Sequence, residues 1–225
     1  MTRLLRVLHA GTVDYQDALA WQRELATARI AGHLSHDTLL LLEHPPVLTL
    51  GRAARPDHIV HAEGIQIVEV ERGGDVTFHG PGQLVGYPIL DLARHRRDLH
   101  WYLRTLEEVL IAALAALGVS AKREPGYTGV WTAERKIASL GVHVRQWVTW
   151  HGFALNVTTE LGEFARIVPC GIRDVEMTSV ARELGLDGRA AAPDLGERAI
   201  AAVVRAFEDG FGLTAYDDRA TRRSA

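Results

Sequence analysis

The sequence predicts an α+β fold: a mixed β-sheet with helices packed around it. Three observations lead there. Short apolar stretches of strand length, such as Thr38–Leu42 and Leu84–Leu90, are interspersed with longer ones whose apolar residues recur at helical spacing. These stretches do not alternate in the regular way that a doubly wound parallel sheet requires. No internal repeat or low-complexity linker divides the 225 residues, a length that supports one sizeable core. A single domain over 1–225 is expected, with room for a small C-terminal subdomain from about residue 175.

Each element has a local reason. Leu4–Leu8 reads as a short strand. Tyr15–Ile30 sets Leu19, Leu25 and Ile30 among charged residues, the pattern of an amphipathic helix, with Gly32 to stop it. Thr38–Leu42 reads as a buried strand turned by Pro45 and Pro46, and Val47–Leu50 as the next. Ile65–Val70 is another, with Glu69 and Glu71 at its end and Gly73 and Gly74 breaking it. Val76–Phe78 runs into Gly80, Pro81 and Gly82, and Leu84–Leu90 resumes extended structure. The clearest helix is Leu99–Leu117, with Leu103, Leu106, Leu110, Ala113 and Leu117 near helical spacing and Gly118 as its stop. Strands follow at Gly129–Trp131, Lys136–Val144 and His151–Val157. A short helix is expected at Ser179–Leu184 with Thr178 as its cap, then a loop at Ala190–Pro193 and a last helix at Ala199–Phe211. From Asp217 onward the tail is polar and reads as frayed.

Composition narrows the function. Hydrophobic residues make up 47% and charged residues 24%, ordinary for a globular protein. A net charge of -3 offers no basic field for nucleic acid. The N-terminal residues show no leader pattern, and the most apolar run, Leu39–Leu42, is too short to span a bilayer. A cytoplasmic location with no membrane partner is therefore expected. Cys170 is the only cysteine, so there is no intrachain disulfide and no zinc site built on several thiolates.

Two segments carry chemistry. RGGDVTFHGPGQ, from Arg72 to Gln83, is dense in glycine but matches neither familiar nucleotide-binding pattern. Such a backbone either makes tight turns around a strand or lets a ligand approach closely, and His79 sits before its second turn. Cys170 lies in IVPCGI, where Pro169 fixes the backbone and Gly171 frees it, a sharp turn leaving a strand. That setting suits an exposed thiol better than the small buried hydrophobe that most lone cysteines are. A thiol needs help to become a thiolate at neutral pH, and a nearby cation gives it. Lys136, at the head of KIASLGVHV, is the candidate, with a solvated surface lysine as the alternative. Histidine is another partner for a nucleophilic cysteine. His151, followed by Gly152, and His143, on the neighbouring strand, stand in reach of the same region.

Taken together and in order, several segments resemble the octanoyltransferase family, also called lipoyl(octanoyl) transferase or lipoate-protein ligase B. They are Arg72–Gln83, Tyr87 with Pro88, GYTGVW at Gly126–Trp131, KIASLGVHV from Lys136, HGFALNV from His151 and PCGI from Pro169. They span most of residues 40 to 180, and Phe78 is the weakest match, standing where tyrosine is expected. The resemblance implies the fold of the biotin and lipoate protein ligase catalytic domain. It also implies an acyltransferase that needs no cofactor and no metal and performs the first step of endogenous protein lipoylation. The donor would be octanoyl-acyl carrier protein. The acceptors would be lysines in lipoyl domains of 2-oxoacid dehydrogenase complexes and in the glycine cleavage H protein.

On this resemblance Cys170 is the nucleophile that carries the octanoyl group as a thioester, and Lys136 is its catalytic partner. Substrate binding falls to Arg72, Gly73, Gly74, Asp75, Val76, Thr77, Phe78 and His79, to Ser139, Leu140 and Gly141, and to Gly152, Phe153 and Ala154. His151 is a secondary polar candidate. Backbone N–H groups near Cys170 or the 139–141 stretch would serve the oxyanion. Arg94, Arg96, Arg97, Lys122, Arg123 and Arg145 would form a basic patch for the acidic carrier. Three other readings compete. An ATP-dependent lipoate or biotin ligase would need no cysteine nucleophile, a cysteine thioesterase would use water as acceptor, and a non-catalytic acyl-binding protein would form no adduct.

Overall fold

The uninterrupted apolar run Leu39–Leu42 needs cover on both faces of a sheet, and the computed structural model, which describes residues 3–172, 175–186 and 193–218, supplies it. The described elements are β1 (Leu4–Thr12), α1 (Tyr15–Ile30), β2 (Asp37–Glu43), β3 (Val47–Leu50), β4 (Gln66–Glu69), β5 (Val76–His79), β6 (Gln83–Ile89), α2 (Leu99–Ala116), β7 (Val130–Thr132), β8 (Arg135–Arg145), β9 (Val148–Asn156), α3 (Val180–Glu183), α4 (Leu195–Phe211) and β10 (Thr214–Asp217). Seven strands form one sheet in the order β10-β1-β2-β6-β9-β8-β7. β1 runs parallel to both β10 and β2, and the remaining neighbours pair antiparallel. A small sheet, β4-β3-β5, lies apart. This is the mixed α+β class that the sequence predicts.

The two faces of the large sheet have different covers. Leu39 and Leu41 of β2 pack in the main core with Leu106, Leu110 and Leu114 of α2 and Val203 and Phe207 of α4. Leu40 and Leu42, pointing the other way, pack with Ala18, Leu25 and Ala26 of α1. The period-2 geometry of a strand thus splits one leucine run between two cores. Among the described residues no helix is long and apolar enough to cross a membrane.

Several boundaries differ from the sequence reading for identifiable reasons. Helix α1 buries Gln22 and Arg29 along with Leu19 and Leu25, so its inward stripe is partly polar. In α2, Leu103 is only half-buried whereas Glu107 is fully buried. That carboxylate accepts hydrogen bonds from Arg104, Arg123 and the Gly129 N–H. The cap of α3 is Ser179, whose hydroxyl accepts from the Arg182 N–H, and not Thr178, whose hydroxyl donates to Glu183. Helix α4 starts four residues early, at Leu195. Asp217 ends a strand, β10, instead of opening a frayed tail. The rest of that tail, 219–225, and residues 190–192 of the loop at Ala190–Pro193 lie outside the described residues.

A buried charge network ties α1 to the sheet. Asp37, at the head of β2, accepts from Arg29 Nε and Nη2 at 3.3 and 3.1 Å and from the Asp91 N–H at 3.1 Å. His95 Nε2 lies 2.6 Å from its other oxygen. The Arg3 guanidinium, which can only donate, faces His95 Nδ1 at 2.8 Å, so Nδ1 accepts and Nε2 donates to Asp37. Burial opposes the charge on Asp37, but the His95 and Asp91 hydrogen bonds and Arg29 outweigh it and hold the carboxyl below its ordinary range. A group whose folded value is depressed stabilises the fold fully above its unfolded value, near 4 for a carboxyl, and loses that contribution as the pH falls through the folded value. Asp37→Asn, which leaves Arg29 short of its partner, is expected to cost about 3 kcal/mol in urea unfolding at pH 7. The gap from the natural protein should narrow under acid conditions, when Asp37 is protonated in both states.

Candidate active site

Lys136 is the second residue of β8, and its backbone is held on both sides. Its N–H donates to Glu176 O at 2.8 Å, and its carbonyl accepts from the Thr178 N–H at 2.9 Å. Its partner across the other ladder is Trp131 of β7. The side chain is 1% exposed, so the ammonium must find its partners inside. Nζ donates to Cys170 Sγ at 3.1 Å and lies 5.0 Å from the centre of the Trp131 ring. Ser139 Oγ is 3.8 Å from the same sulfur.

Cys170 itself is half-buried. It does not leave a strand. It sits in a tight 3₁₀ turn, Pro169–Gly171, after a longer 3₁₀ stretch, and among the described residues the pairing just before it is a single bridge between Ile59 and Ile167. Cys170 adopts φ 55°, a left-handed conformation that costs a non-glycine residue, and Gly171 follows at φ 69°. The turn is therefore held by its surroundings. Lys136 thus sets a hydrogen-bond donor against the sulfur of the chain's one thiol.

The two groups open into a cavity of about 510 Å³ on the α1 side of the sheet. The cavity wall includes Arg72, Gly74, Asp75, Thr77 and His79, then Ser139, Leu140 and Gly141, then His151, Gly152, Phe153 and Ala154. Most of the residues named from sequence thus come together. Three do not. Val76 and Phe78 alternate away from Thr77 and His79 and pack with Leu48, Phe164, Ile167 and Met177 in a separate core. Gly73 donates its N–H to Val142 O and is not on the cavity wall. His143 also lies off the wall, where its ring packs on Trp150 at 4.2 Å and its Nδ1 meets Glu71 O.

The polar groups of the wall differ in how they are answered. Arg72 is buried, and its Nη atoms donate to Thr49 O, Thr49 Oγ1 and Gly73 O, but Nε has no partner. Asp75 gives one oxygen to the Val76 N–H and the other to His58 Nδ1 at 2.6 Å. His79 is held by Gln83 and Thr49 and stacks on Tyr15, and burial pushes its pKa well below the ordinary value. Gly152 answers to the neighbouring strand: a Cβ there would run into Gly86 O and Pro88. Its bareness serves strand packing rather than the approach of a ligand.

Tyr15 and Val85, from α1 and β6, also line the cavity, as do Tyr127, Thr128 and Ile172. Nothing local marks Tyr15 or Val85, since only the packing of α1 on the sheet brings them there. The Gly171 N–H is spent on Val168 O, so it is not an oxyanion donor. The expected basic patch does not form. Arg145 and the Arg94–Arg97 stretch lie at the β8–β9 hairpin end, where Leu92 donates to Trp147 O, while Lys122 and Arg123 flank Trp131 at the opposite end of β8. Arg96, Lys122 and Arg123 are moreover paired with acidic side chains.

Comparison with known proteins places this geometry. Residues 14–208 match the family described as "Lipoyl protein ligase A/B catalytic domain". A protein of Gloeobacter violaceus named octanoyltransferase is 59% identical over 167 residues, 74% of this chain and 75% of its own length. One of a Nostoc species, with the same name, is 47% identical over 92% of both chains. Among solved structures, a bipartite lipoate protein ligase from Thermoplasma acidophilum superposes with a TM-score of 0.73 at 18% identity, over 97% of this chain and 88% of that one. The apo biotin protein ligase of Aquifex aeolicus does so at 0.51 and 12%, over 93% and 70%. These two show the fold alone.

The path of Lys136 depends on Gly129. This residue has φ 141°, and a Cβ on it would lie 2.8 Å from Lys136 Cε and 2.8 Å from Ala138 O. Gly129→Ala is expected to cost about 1–3 kcal/mol by thermal unfolding and to move the ammonium off the sulfur. The second effect should appear as slower alkylation of Cys170 in the fraction that remains folded.

Proposed function

The chain belongs to the lipoyl protein ligase A/B catalytic-domain family and, within it, to the octanoyltransferases, a family of acyltransferases, and on that premise we propose that it moves an octanoyl group from a carrier-protein thioester to a lysine of a lipoyl domain through Cys170. The observation that carries this reading is the 3.1 Å contact between the buried Lys136 ammonium and Cys170 Sγ at the cavity wall.

The proposed steps balance with these two groups alone. The Cys170 thiolate attacks the thioester carbonyl and an S–C bond forms. The bond to the phosphopantetheine sulfur breaks, and that sulfur leaves with a proton from the Lys136 ammonium. The octanoyl group now sits on Cys170, and Lys136 is a neutral amine. The acceptor lysine attacks as a free amine, gives its proton to Lys136, and releases Cys170 as thiolate beside a restored ammonium. The product is an amide. The side chains nearest the sulfur, Lys136 and Ser139, are the donors for the tetrahedral oxyanion. Val85 and Ala154, whose side chains lie on the α1 face of the sheet, give the acyl chain an apolar wall, worth about 0.8 kcal/mol per methylene buried. The donor arrives as an activated thioester, so no nucleotide is required. The reading includes a cytoplasmic location, where a lone cysteine stays reduced.

Intact-protein mass spectrometry after mixing with octanoyl-acyl carrier protein tests the proposal. One octanoyl group should appear on the natural protein and none on Cys170→Ser. Addition of a lipoyl domain should discharge it into an amide on that domain. Discharge at the same rate without the domain would favour a thioesterase, and no adduct at all would contradict the thioester route.

A further inference from the structure

Cys170 keeps a left-handed backbone, φ 55°, followed by Gly171 at φ 69°, and that strained turn needs a hold on each side. His58 meets both flanks. Its carbonyl accepts the Val168 N–H at 2.8 Å, two residues before the cysteine. Its ring reaches the residue just after. A Cβ on Gly171 would lie 3.0 Å from His58 Cε1 and 2.6 Å from Asp75 Oδ2, so the glycine sits directly against this pair. His58 is buried and, unlike Asp75, is not part of the cavity wall.

His58 is itself placed by Asp75. Oδ2 lies 2.6 Å from His58 Nδ1, and Oδ1 accepts from the Val76 N–H at 2.7 Å and, more weakly, from the Arg55 N–H at 3.4 Å. Asp75 therefore holds both ends of the short 3₁₀ turn Pro56–His58, at the residue before it and at its last residue. From His58 onward the chain runs beside the approach to the cysteine. Val60 and His61 donate to Arg166 O, and a bridge joins Ile59 to Ile167. Support passes from the head of β5 through the Asp75 side chain to His58, and from there to the turn. These three protein donors occupy most of the lone-pair positions of Asp75.

Resting on the acyl-enzyme reading above, we infer that His58 and Asp75 are positioning residues that hold Cys170 in its left-handed turn and so keep Sγ against Lys136. Asp75 serves the nucleophile through His58 and does not bind the acyl group. When the pair is broken, the 58–61 segment loses its side-chain anchor, the turn relaxes toward an ordinary backbone, and the sulfur leaves its 3.1 Å contact with Nζ. A small misplacement of a reacting atom slows a reaction by an order of magnitude or more.

The test follows acyl-enzyme formation from octanoyl-pantetheine in single turnovers by intact mass, over a range of donor concentrations. It reads the rate constant at saturation, the half-saturating concentration and the fraction of protein that reacts. His58→Ala and Asp75→Ala should each lower the saturating rate constant by about tenfold and leave the half-saturating concentration unchanged. The double variant should be no slower than either, because the two residues act as one unit. His58→Asn, whose side-chain nitrogen can stand where Nδ1 stands and donate to Asp75, should recover most of the natural rate. A smaller reacting fraction with a natural rate constant would make the pair a support of the fold only and overturn the inference. A raised half-saturating concentration in Asp75→Ala, with the saturating rate kept, would return Asp75 to substrate binding and overturn it as well. Should His58→Ala fail to fold, Asp75→Ala and His58→Asn carry the same comparison. Natural rates in every variant would overturn this inference alone, and no adduct on the natural protein would overturn the acyl-enzyme reading with it.

Discussion

A lysine ammonium taken out of water must be answered or it will not stay charged, and at this site the answer is a thiol. Lys136 is buried, and among the described residues the groups that meet its Nζ are Cys170 Sγ and the Trp131 ring. Much of the surrounding structure can be understood as holding this pair. The segment 176–178 clamps the Lys136 backbone, Gly129 clears a path for its side chain, and Glu107 holds the Gly129 N–H from α2. On the other side, Val168 donates to His58 O and Asp75 engages the His58 ring. The glycine-rich segment and the cysteine turn are thereby joined.

Sequence identity separates this chain from proteins that share only its fold. The lipoate and biotin ligases superpose on it at under 20% identity, a likeness of architecture only. Proteins named octanoyltransferase match it at 47–59% identity over most of its length. A mixed sheet with helices on both faces is a frame that admits different chemistries, and the chemistry is decided by the few side chains at the cavity. Cys170 comes from an irregular turn, not from a strand or α-helix of the frame. Its left-handed conformation is one of two non-glycine backbone strains at the cavity wall, with His151 the other.

How much of this was legible in the sequence depends on the range of the interaction involved. The element order could be read because each strand and helix announces itself over a few residues. The Lys136–Cys170 contact could be suspected from chemistry and from family resemblance, but a separation of 34 residues hides it from any local pattern. Tyr15 and Val85 carry no local mark, since their place in the cavity follows from how α1 packs on the sheet. The misplacement of Val76 and Phe78 is different in kind. The glycine-rich segment is continuous in sequence, but its strand alternates, so Thr77 and His79 face the cavity and their neighbours face a core. That alternation was present in the sequence and outweighed by the continuity of the motif. The basic residues were grouped by charge alone, and β8 separates them by its length.

The central claim is that the Lys136 ammonium is what makes Cys170 a nucleophile. Because Cys170 is the only cysteine of the chain, its alkylation by iodoacetamide at pH 7 measures that directly, comparing the natural protein with a folded Lys136→Met. Loss of the cation should slow alkylation by about tenfold or more. An equal rate in the two proteins would mean that the thiol owes nothing to the lysine beside it, and the account of the site would fail.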